Sequence, residues 1–391
     1  MARILEIKGL TVRFYTYEGV VQAVDNVDLE INRQETLGLV GETGCGKTMT
    51  ALAILRLIPP PGKIDGGQIF LHPDSASPVD LMTLTEKQMR QIRGSTVAMV
   101  FQEPSAALNP VFTINDQISE VILVHRRQEA AGRALADVDA LLAGNRLLDR
   151  LARPARRWQR HLYQQLVQTP QAFWPGFVGR VPIMRRLLWR LKREAQKMAV
   201  AMLKEVEIPD PERVARAYPH QLSGGMKQRS VIAMSLACCQ QLLIADEPTT
   251  ALDVTIQAQI LELLQRLKDN FQTSVLYITH DLAVAAQICD RIVVMYAGRI
   301  CEIASALDLF AHPTHPYTRL LLAAVPRPGV EPQSIKGTLP DPLSLSSGCH
   351  FHPRCPLANE QCQQQPRMVE AAPGHFVACF NWRGENGGNS G

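Results

Sequence analysis

The stretch Gly41–Thr48, which reads GETGCGKT, constrains the fold of this chain more than any other. It fits the pattern G-x-x-x-x-G-K-[ST], with the strand-like run ETLGLVG before it and the helix-like run KTMTALAILRLI after it. Glycines let the backbone point N–H groups at phosphate oxygens, while Lys47 and Thr48 would reach the terminal phosphates and Mg²⁺. The sequence therefore predicts a strand, a phosphate-binding loop and a helix in succession. The candidate nucleotide-binding residues of this loop are Gly41, Glu42, Thr43, Gly44, Cys45, Gly46, Lys47, Thr48 and Met49.

A second motif, LLIADEP, places Asp246 and Glu247 at the carboxyl end of a predicted strand, where α/β sheets bind their ligands. We expect Asp246 to hold the Mg²⁺ shell and Glu247 to polarise the water that attacks the γ-phosphate. Taken alone, an acidic pair at a strand end is also typical of a solvated turn. The phosphate loop favours the catalytic interpretation.

A third motif, LSGGMKQRS, contains Ser223, Gly224 and Gly225 at the start of a predicted helix. Ser223 is a typical N-cap, and the two glycines leave first-turn N–H groups uncovered, which suits an anion. By itself the motif is more often a simple cap. Together with the phosphate loop and the acidic strand end, it resembles the ATP-binding-cassette (ABC) ATPases, whose signature is L-S-G-G-Q; here Met226 replaces the glutamine.

The resemblance implies roles for further residues. Gln102 in VFQEP matches the family's Q-loop, Asp253 in ALD its D-loop, and His280 in YITHD its switch histidine. The expected catalytic set is then Glu247, His280, Lys47 and Gln102, the expected Mg²⁺ ligands are Thr48, Gln102 and Asp246, and Phe14 is expected to stack on adenine. In this family the signature of one cassette closes over the phosphate loop of another, so hydrolysis of ATP is expected to require a dimer.

The order of strand-like and helix-like segments predicts an α/β fold of the P-loop NTPase type: a parallel sheet core, an antiparallel β subdomain, an inserted helical subdomain and a small metal-binding tail. We expect an ATPase domain over residues 1–311, with the helical subdomain at about 113–220, and a separate carboxyl-terminal region over 312–391. An apolar content of 46% with no long uncharged apolar run predicts a cytosolic chain that does not span a membrane. The net charge of +4 gives no case for nucleic acid as a partner.

The motif HPTHPYTRLLLAAVPRP, which begins at His312, resembles the carboxyl-terminal region of ATPase subunits from dipeptide and oligopeptide importers. Members of that group also import nickel, glutathione and other small solutes, and these remain alternatives, as does a non-transport ABC ATPase. The resemblance implies a heterodimer with a second ATPase subunit, two transmembrane permease subunits and an external solute-binding protein. It also implies a peripheral location on the cytoplasmic face of a prokaryotic membrane.

Four cysteines of the tail, Cys349, Cys355, Cys362 and Cys379, are not expected to form disulfides in a reducing compartment. Their spacing lacks the C-x₂-C knuckles of zinc ribbons, and four thiolates in loops suit a [4Fe–4S] cluster, which some relatives with this tail carry. Zinc, with His350, His352 or His375 as further ligands, and unligated thiols remain open. A bound metal would tie down a tail too small to have its own core.

A basic insertion at about 127–195 departs from the family pattern. Between Arg146 and Arg193 there are twelve Lys or Arg and one acid, together with Trp158, Trp174 and Trp189. An extra helical hairpin with a solvated charged face is one interpretation. Contact with anionic membrane headgroups is the other.

Overall fold

The computed structural model describes residues 2–73, 77–143, 153–168, 188–238, 241–250, 252–325 and 337–382. Trp174 and most of the centre of the basic insertion, residues 144–152 and 169–187, lie outside the described residues. The described chain divides into two compact units. The first comprises 1–102, 240–250 and 261–391, and the second comprises 103–239 and 251–260.

Every strand in the described residues belongs to the first unit. They are β1 (Arg3–Thr16), β2 (Gly19–Asn32), β3 (Thr36–Val40), β4 (Gly62–Leu71), β5 (Val79–Asp80), β6 (Val97–Val100), β7 (Leu242–Asp246), β8 (Ser274–Thr279), β9 (Arg291–Tyr296), β10 (Arg299–Ser305), β11 (Val369–Ala372) and β12 (His375–Val377).

The larger sheet has the strand order β11-β12-β10-β9-β3-β8-β7-β6. Its centre is parallel, with β3 between β8 and β9, and β7 between β8 and β6. Every residue of β3, β7 and β8 is buried, as expected for parallel strands that are covered on both faces. The carboxyl ends of β3, β7 and β8 therefore meet at one edge of the sheet, which is where the polar motifs follow.

The smaller sheet, β2-β1-β4-β5, is antiparallel. The buried apolar residues of β1 and β2 pack into a hydrophobic core that also includes residues of the large sheet and of the first helix. The mixed α/β architecture predicted from the sequence is confirmed.

The helices are α1 (Lys47–Ile54), α2 (Glu86–Ile92), α3 (Pro104–Ala107), α4 (Ile114–His125), α5 (Arg127–Ala143), α6 (Arg153–Gln168), α7 (Trp189–Glu205), α8 (Pro211–Arg216), α9 (Gly224–Leu236), α10 (Val254–Phe271), α11 (Leu282–Ile288), α12 (Ala306–Ala311) and α13 (Pro316–Ala324). Helices α3–α9 form most of the second unit. Within the described ranges, no helix combines the length and apolar character that a membrane span requires.

The insertion contributes α5, α6 and the start of α7 to the second unit. Helix α6 packs against α5, burying Tyr163 and Leu166, and Arg160 pairs with Asp139 at 2.7 Å across the two helices. Trp158, one helical turn before the buried Leu162, is 65% exposed.

The tail adds β11 and β12 to the edge of the large sheet beside β10. Glu302 of β10 is completely buried and accepts hydrogen bonds from the backbone N–H groups of Thr314 (2.7 Å) and His315 (2.9 Å). His375 Nε2 of β12 lies 2.7 Å from the same carboxylate. Glu302 thus joins the start of α13 and the last strand of the tail to the sheet.

Candidate functional site

The phosphate loop runs from the end of β3 to the start of α1. Gly46 is the N-cap of α1 with φ +105°, a conformation that favours glycine, and no side chain caps the helix. A Cβ on Gly41 would lie 2.1 Å from the carbonyl oxygen of Met295, so only glycine fits there. The loop therefore presents uncapped first-turn N–H groups at a helix N-terminus, as an anion requires.

Lys47 is the first residue of α1 and is only 4% exposed. Its Nζ donates to the carbonyl oxygens of Gly41 at 2.7 Å and Glu42 at 3.0 Å. The ammonium is thereby held across the mouth of its own loop, where it can contact a bound phosphate.

Thr48 and Asp246 form the oxygen-rich part of the site. The hydroxyl of Thr48 donates to Asp246 Oδ1 at 3.2 Å. Burial raises the pKa of Asp246 to about 6, and the charge of Glu247 adds to the increase, while Thr48 and Lys47 oppose it. A carboxylate beside a hydroxyl at a phosphate loop is the donor set that Mg²⁺ prefers, so these residues fit the predicted ion.

Glu247 lies at the end of β7 with φ +44°, an uncommon backbone conformation for a residue with a side chain. Its N–H donates to Ile278 of β8 at 3.0 Å. Its carboxylate accepts from Gln102 Nε2 at 3.0 Å and lies 3.2 Å from His280 Nδ1. The structure therefore brings together three of the four residues for which the sequence predicted catalytic roles.

Thr250 is a further member of this cluster that sequence reasoning missed. Its hydroxyl donates to Glu247 Oε2 at 2.9 Å, beside the contact with Gln102. The only signal is its position three residues after Glu247 in EPTT, a spacing that allows a turn to fold the hydroxyl back onto the carboxylate.

The signature residues lie in the second unit, and the structure brings them close to the start of α10. Ser223 caps α9 by accepting from the N–H of Met226. A Cβ on Gly225 would lie 2.9 Å from Ile256 Cγ2, which shows how closely the two helices approach. Asp253 accepts from the N–H of Ile256 at 2.9 Å and so caps α10.

Two nucleotide-binding candidates are largely engaged in packing. Phe14 and Met49 are partly buried against the hydrophobic core, and the Phe14 ring also approaches Gly62. Tyr15, near the end of β1, and Tyr17, in the turn that follows, are exposed, and the Tyr15 hydroxyl donates to Asp65 at 2.6 Å. Stacking of Phe14 on adenine stays a prediction.

The four tail cysteines line one small cavity, together with residues that include Phe351 and Asn381. Burial raises the pKa of the Cys355 and Cys379 thiols to about 11. The backbone N–H of Asn381 points at Cys379 Sγ at 3.3 Å.

A metal site in this cavity stays a prediction. In the part of the chain that the structure describes, no three His, Cys, Asp or Glu side chains are placed to hold one metal ion. Two of the three candidate histidine ligands have other partners: His350 Nδ1 lies 2.7 Å from the Ala297 carbonyl oxygen, and His375 contacts Glu302.

Comparison with protein families places these motifs in context. A model described as ABC transporter matches residues 24–250. A second model, described as the oligopeptide/dipeptide transporter C-terminal region, matches residues 301–362. The two matches together include the phosphate loop, the signature, the acidic strand end and three of the four tail cysteines.

Several curated proteins align with almost the whole chain. A probable peptide ABC transporter ATP-binding protein of Sinorhizobium fredii is 41% identical over 97% of this chain and 95% of its own length. The dipeptide transport ATP-binding protein DppD of Bacillus subtilis is 39% identical over 97% of this chain and 95% of its own length. The oligopeptide transport ATP-binding protein OppD of Escherichia coli is 37% identical over 96% of this chain and 93% of its own length.

Solved structures show the same fold. The dimeric post-hydrolysis structure of the ATP-binding cassette MJ0796, bound to ADP and Pi, covers 78% of this chain and 99% of its own, with a TM-score of 0.52 and 22% identity. The structure of cbiO1 from Clostridium perfringens covers 80% of this chain and 92% of its own, with a TM-score of 0.51 and 20% identity. With its two family matches and its near-complete alignment to these relatives, the chain belongs to the ABC transporter family and is an ABC ATPase.

Proposed function

We propose that the chain hydrolyses ATP to drive the import of dipeptides or oligopeptides. The observation that carries this proposal is the near-complete alignment with relatives named as peptide transport ATP-binding proteins, which includes the oligopeptide/dipeptide transporter C-terminal region. A chain that shared only the cassette would carry no information about the solute.

The geometry supports separate roles for the residues of the site in phosphate binding, Mg²⁺ binding and water activation. Lys47 and the N-terminus of α1 bind the phosphates of ATP, and Thr48, Asp246 and Gln102 hold Mg²⁺, which when bound would neutralise charge on the phosphate oxygens. Glu247 polarises the attacking water. Gln102, Thr250 and His280 orient its carboxylate, since all three contact the carboxylate oxygens at about hydrogen-bond distance.

The second half of each site comes from another cassette. Ser223, Gly224, Gly225 and Asp253 present a capped helix start and a carboxylate that would close over the phosphate loop of the partner. We propose a heterodimer with a related ATPase subunit, docked beneath two permease subunits on the cytoplasmic face of the membrane and served by an external solute-binding protein. Nucleic acid has no role in this scheme.

We propose further that the tail cavity holds a [4Fe–4S] cluster through Cys349, Cys355, Cys362 and Cys379. Its support is that all four thiols line one cavity, and that a backbone N–H points at one sulfur, as is common around such clusters. A cluster also separates its thiolates more widely than a single ion does. After anaerobic reconstitution, a broad visible absorption band is expected; zinc uptake without that band would replace the cluster with a zinc site.

The insertion offers a surface for anionic headgroups. Trp158 is 65% exposed, and Trp189, which is 45% exposed, lies within cation–π distance of Arg190 and Arg193. Exposed tryptophan beside arginine suits a membrane interface. Equal sedimentation of the intact chain and an insert-deleted chain with anionic vesicles would contradict this contact.

Reconstitution tests the transport function. The chain is purified with its partner ATPase, permeases and binding protein, and ATP hydrolysis and uptake are measured with peptides, nickel and glutathione. We expect peptides to stimulate both hydrolysis and uptake. Lys47→Ala is expected to abolish both. Stimulation by nickel or glutathione alone would reassign the solute, and uptake that survives Lys47→Ala would overturn the proposal.

A further inference from the structure

The second residue of the phosphate loop is an acid. Glu42 follows Gly41 directly, and its carbonyl oxygen is one of the two that Lys47 contacts. An uncompensated carboxylate in a loop that binds phosphates repels them, because both groups are anionic and close together. The charge of Glu42 therefore needs a partner if the loop is to bind a nucleotide tightly.

Arg354 of the tail supplies that partner. Its two terminal nitrogens donate to the two oxygens of Glu42, Nη1 at 2.7 Å and Nη2 at 3.2 Å. The Arg354 side chain is only 5% exposed, and Nη1 also donates to the Tyr296 hydroxyl at 3.2 Å. A bidentate pair of this kind fixes the orientation of a carboxylate as well as neutralising it.

Tyr317 holds the backbone of the same residue. The N–H of Glu42 donates to the Tyr317 hydroxyl at 3.0 Å. Tyr317 is completely buried, with its ring edge-on to Tyr296 at 4.7 Å and close to Phe351 at 5.3 Å. Both the side chain and the backbone of Glu42 are therefore attached to the carboxyl-terminal region.

The position of Arg354 depends in turn on the cysteine cavity. Arg354 ends a short 3₁₀ turn, His352–Arg354, that lies between Cys349 and Cys355. The N–H of Cys349 donates to the Cys362 carbonyl oxygen at 3.0 Å, which closes the backbone around this turn. A change at the thiols would therefore move the guanidinium that holds Glu42.

We propose that Arg354 is a positioning residue of the ATP site, which acts through Glu42 and couples nucleotide binding to the state of the tail cysteines. The inference rests on the proposed binding of ATP by the phosphate loop. Because coupling between two sites is reciprocal, a nucleotide on the loop must also protect the tail cysteines.

The first test measures the Kd of the full-length chain for a fluorescent ATP analogue with Mg²⁺, in a double-mutant cycle. Arg354→Gln is expected to raise the Kd about tenfold, and Arg354→Lys to recover part of the loss. In a Glu42→Gln background the further change Arg354→Gln is expected to alter the Kd less than about twofold, because the residue through which it acts is gone. An equal loss in both backgrounds would overturn the proposal.

Arg299→Gln is the matched control. Arg299 donates to the Gly348 carbonyl oxygen at 3.1 Å and pairs with Asp25, so it also attaches the tail but does not contact Glu42. Its Kd is expected to stay within about twofold of the wild-type value. A loss as large as that of Arg354→Gln would assign the effect to general docking of the tail and would contradict a specific role of Arg354.

The second test remains decisive if Arg354→Gln does not fold. The full-length chain is purified, freed of metal and reduced, so that the four tail thiols are unligated. Alkylation of each tail cysteine is then followed by mass spectrometry with and without MgATP. MgATP is expected to slow alkylation at least about threefold in the wild type and to have no such effect in Glu42→Gln, which keeps the tail sequence but loses the ion pair to Arg354. Protection that persists in Glu42→Gln would overturn the coupling. Both tests use the isolated chain, so their failure would leave the proposed peptide import untouched.

Discussion

The two ends of the phosphate loop are held by different kinds of contact. At the Lys47 end, the contacts are to the loop's own carbonyl oxygens and, through Thr48, to the acid at the end of β7. At the Glu42 end, the contacts come from tail residues that lie 275 and 312 positions away. The Lys47 end places the buried Asp246 beside Thr48, where both can hold Mg²⁺. The Glu42 end is fixed by ion pairing and aromatic packing. The Lys47 end of this loop thus depends on the consensus motif itself, whereas the Glu42 end depends on contacts with the tail.

The largest effect is expected at the Lys47 end of the loop, beside the acids Asp246 and Glu247. Glu247→Gln should lower ATP hydrolysis by the assembled ATPase pair at least about 100-fold, because the amide cannot polarise the attacking water. Glutamine can still accept from Gln102 and Thr250, so the Kd for ATP should change little. Glu262→Gln, an exposed residue of α10, serves as the control. Hydrolysis within tenfold of wild type would show that Glu247 is not the residue that activates water.

The second-largest effect is expected where Glu302 attaches the tail to the large sheet. Glu302→Gln places an amide among donors that all point at a carboxylate, and breaking such a buried arrangement should cost about 3 kcal/mol of unfolding free energy. Chemical denaturation of the full chain measures this cost. The exposed Glu370, which accepts only from Gly374 among the described contacts, gives the control Glu370→Gln. A loss below about 0.5 kcal/mol would show that Glu302 does not anchor the tail.

The smallest effect has the opposite sign. Burial raises the pKa of Asp246 to about 6, so the ionised carboxylate destabilises the folded state above that pH. In the presence of a chelator, Asp246→Asn should therefore raise the unfolding free energy by about 1–3 kcal/mol at pH 7.5.

The sign can be checked with pH. Below about pH 3 the acid is protonated in both the folded and the unfolded chain, so the gain should vanish there, grow between about pH 4 and pH 6, and reach its full value above about pH 7. Exposed Asp269→Asn should give no such pH dependence. A lower unfolding free energy for Asp246→Asn than for the wild type at pH 7.5 would contradict the prediction that the buried Asp246 carboxylate destabilises the fold.

The sequence predicted those parts of the fold and site that depend on neighbours along the chain. A strand followed by a glycine-rich turn and a helix could be recognised at Gly41–Thr48, because backbone geometry alone requires that residue pattern. The meeting of Gln102, Glu247 and His280 followed from the family resemblance and from the rule that strand ends share an edge.

The remaining contacts could not be predicted in the same way. Nothing near Arg354 or Tyr317 indicates that Glu42 is their partner, since such pairs arise only when the sheet and the tail are folded together. The backbone conformation of Glu247 and the hydroxyl of Thr250 are likewise products of β7 and β8 lying side by side. The sequence also left the ligand of the tail cysteines open, because spacing in an irregular segment does not define distances.

The pairing of Glu42 with Arg354 bears on how the smallest working version of this enzyme is defined. A fragment that stops at residue 311 would keep every glycine, the lysine and the threonine of the consensus loop. It would nevertheless carry a bare negative charge beside the triphosphate and lose the tyrosine that braces the adjoining amide. Such a fragment would bind nucleotide more weakly than the intact subunit, so its affinity would not describe that of the intact subunit.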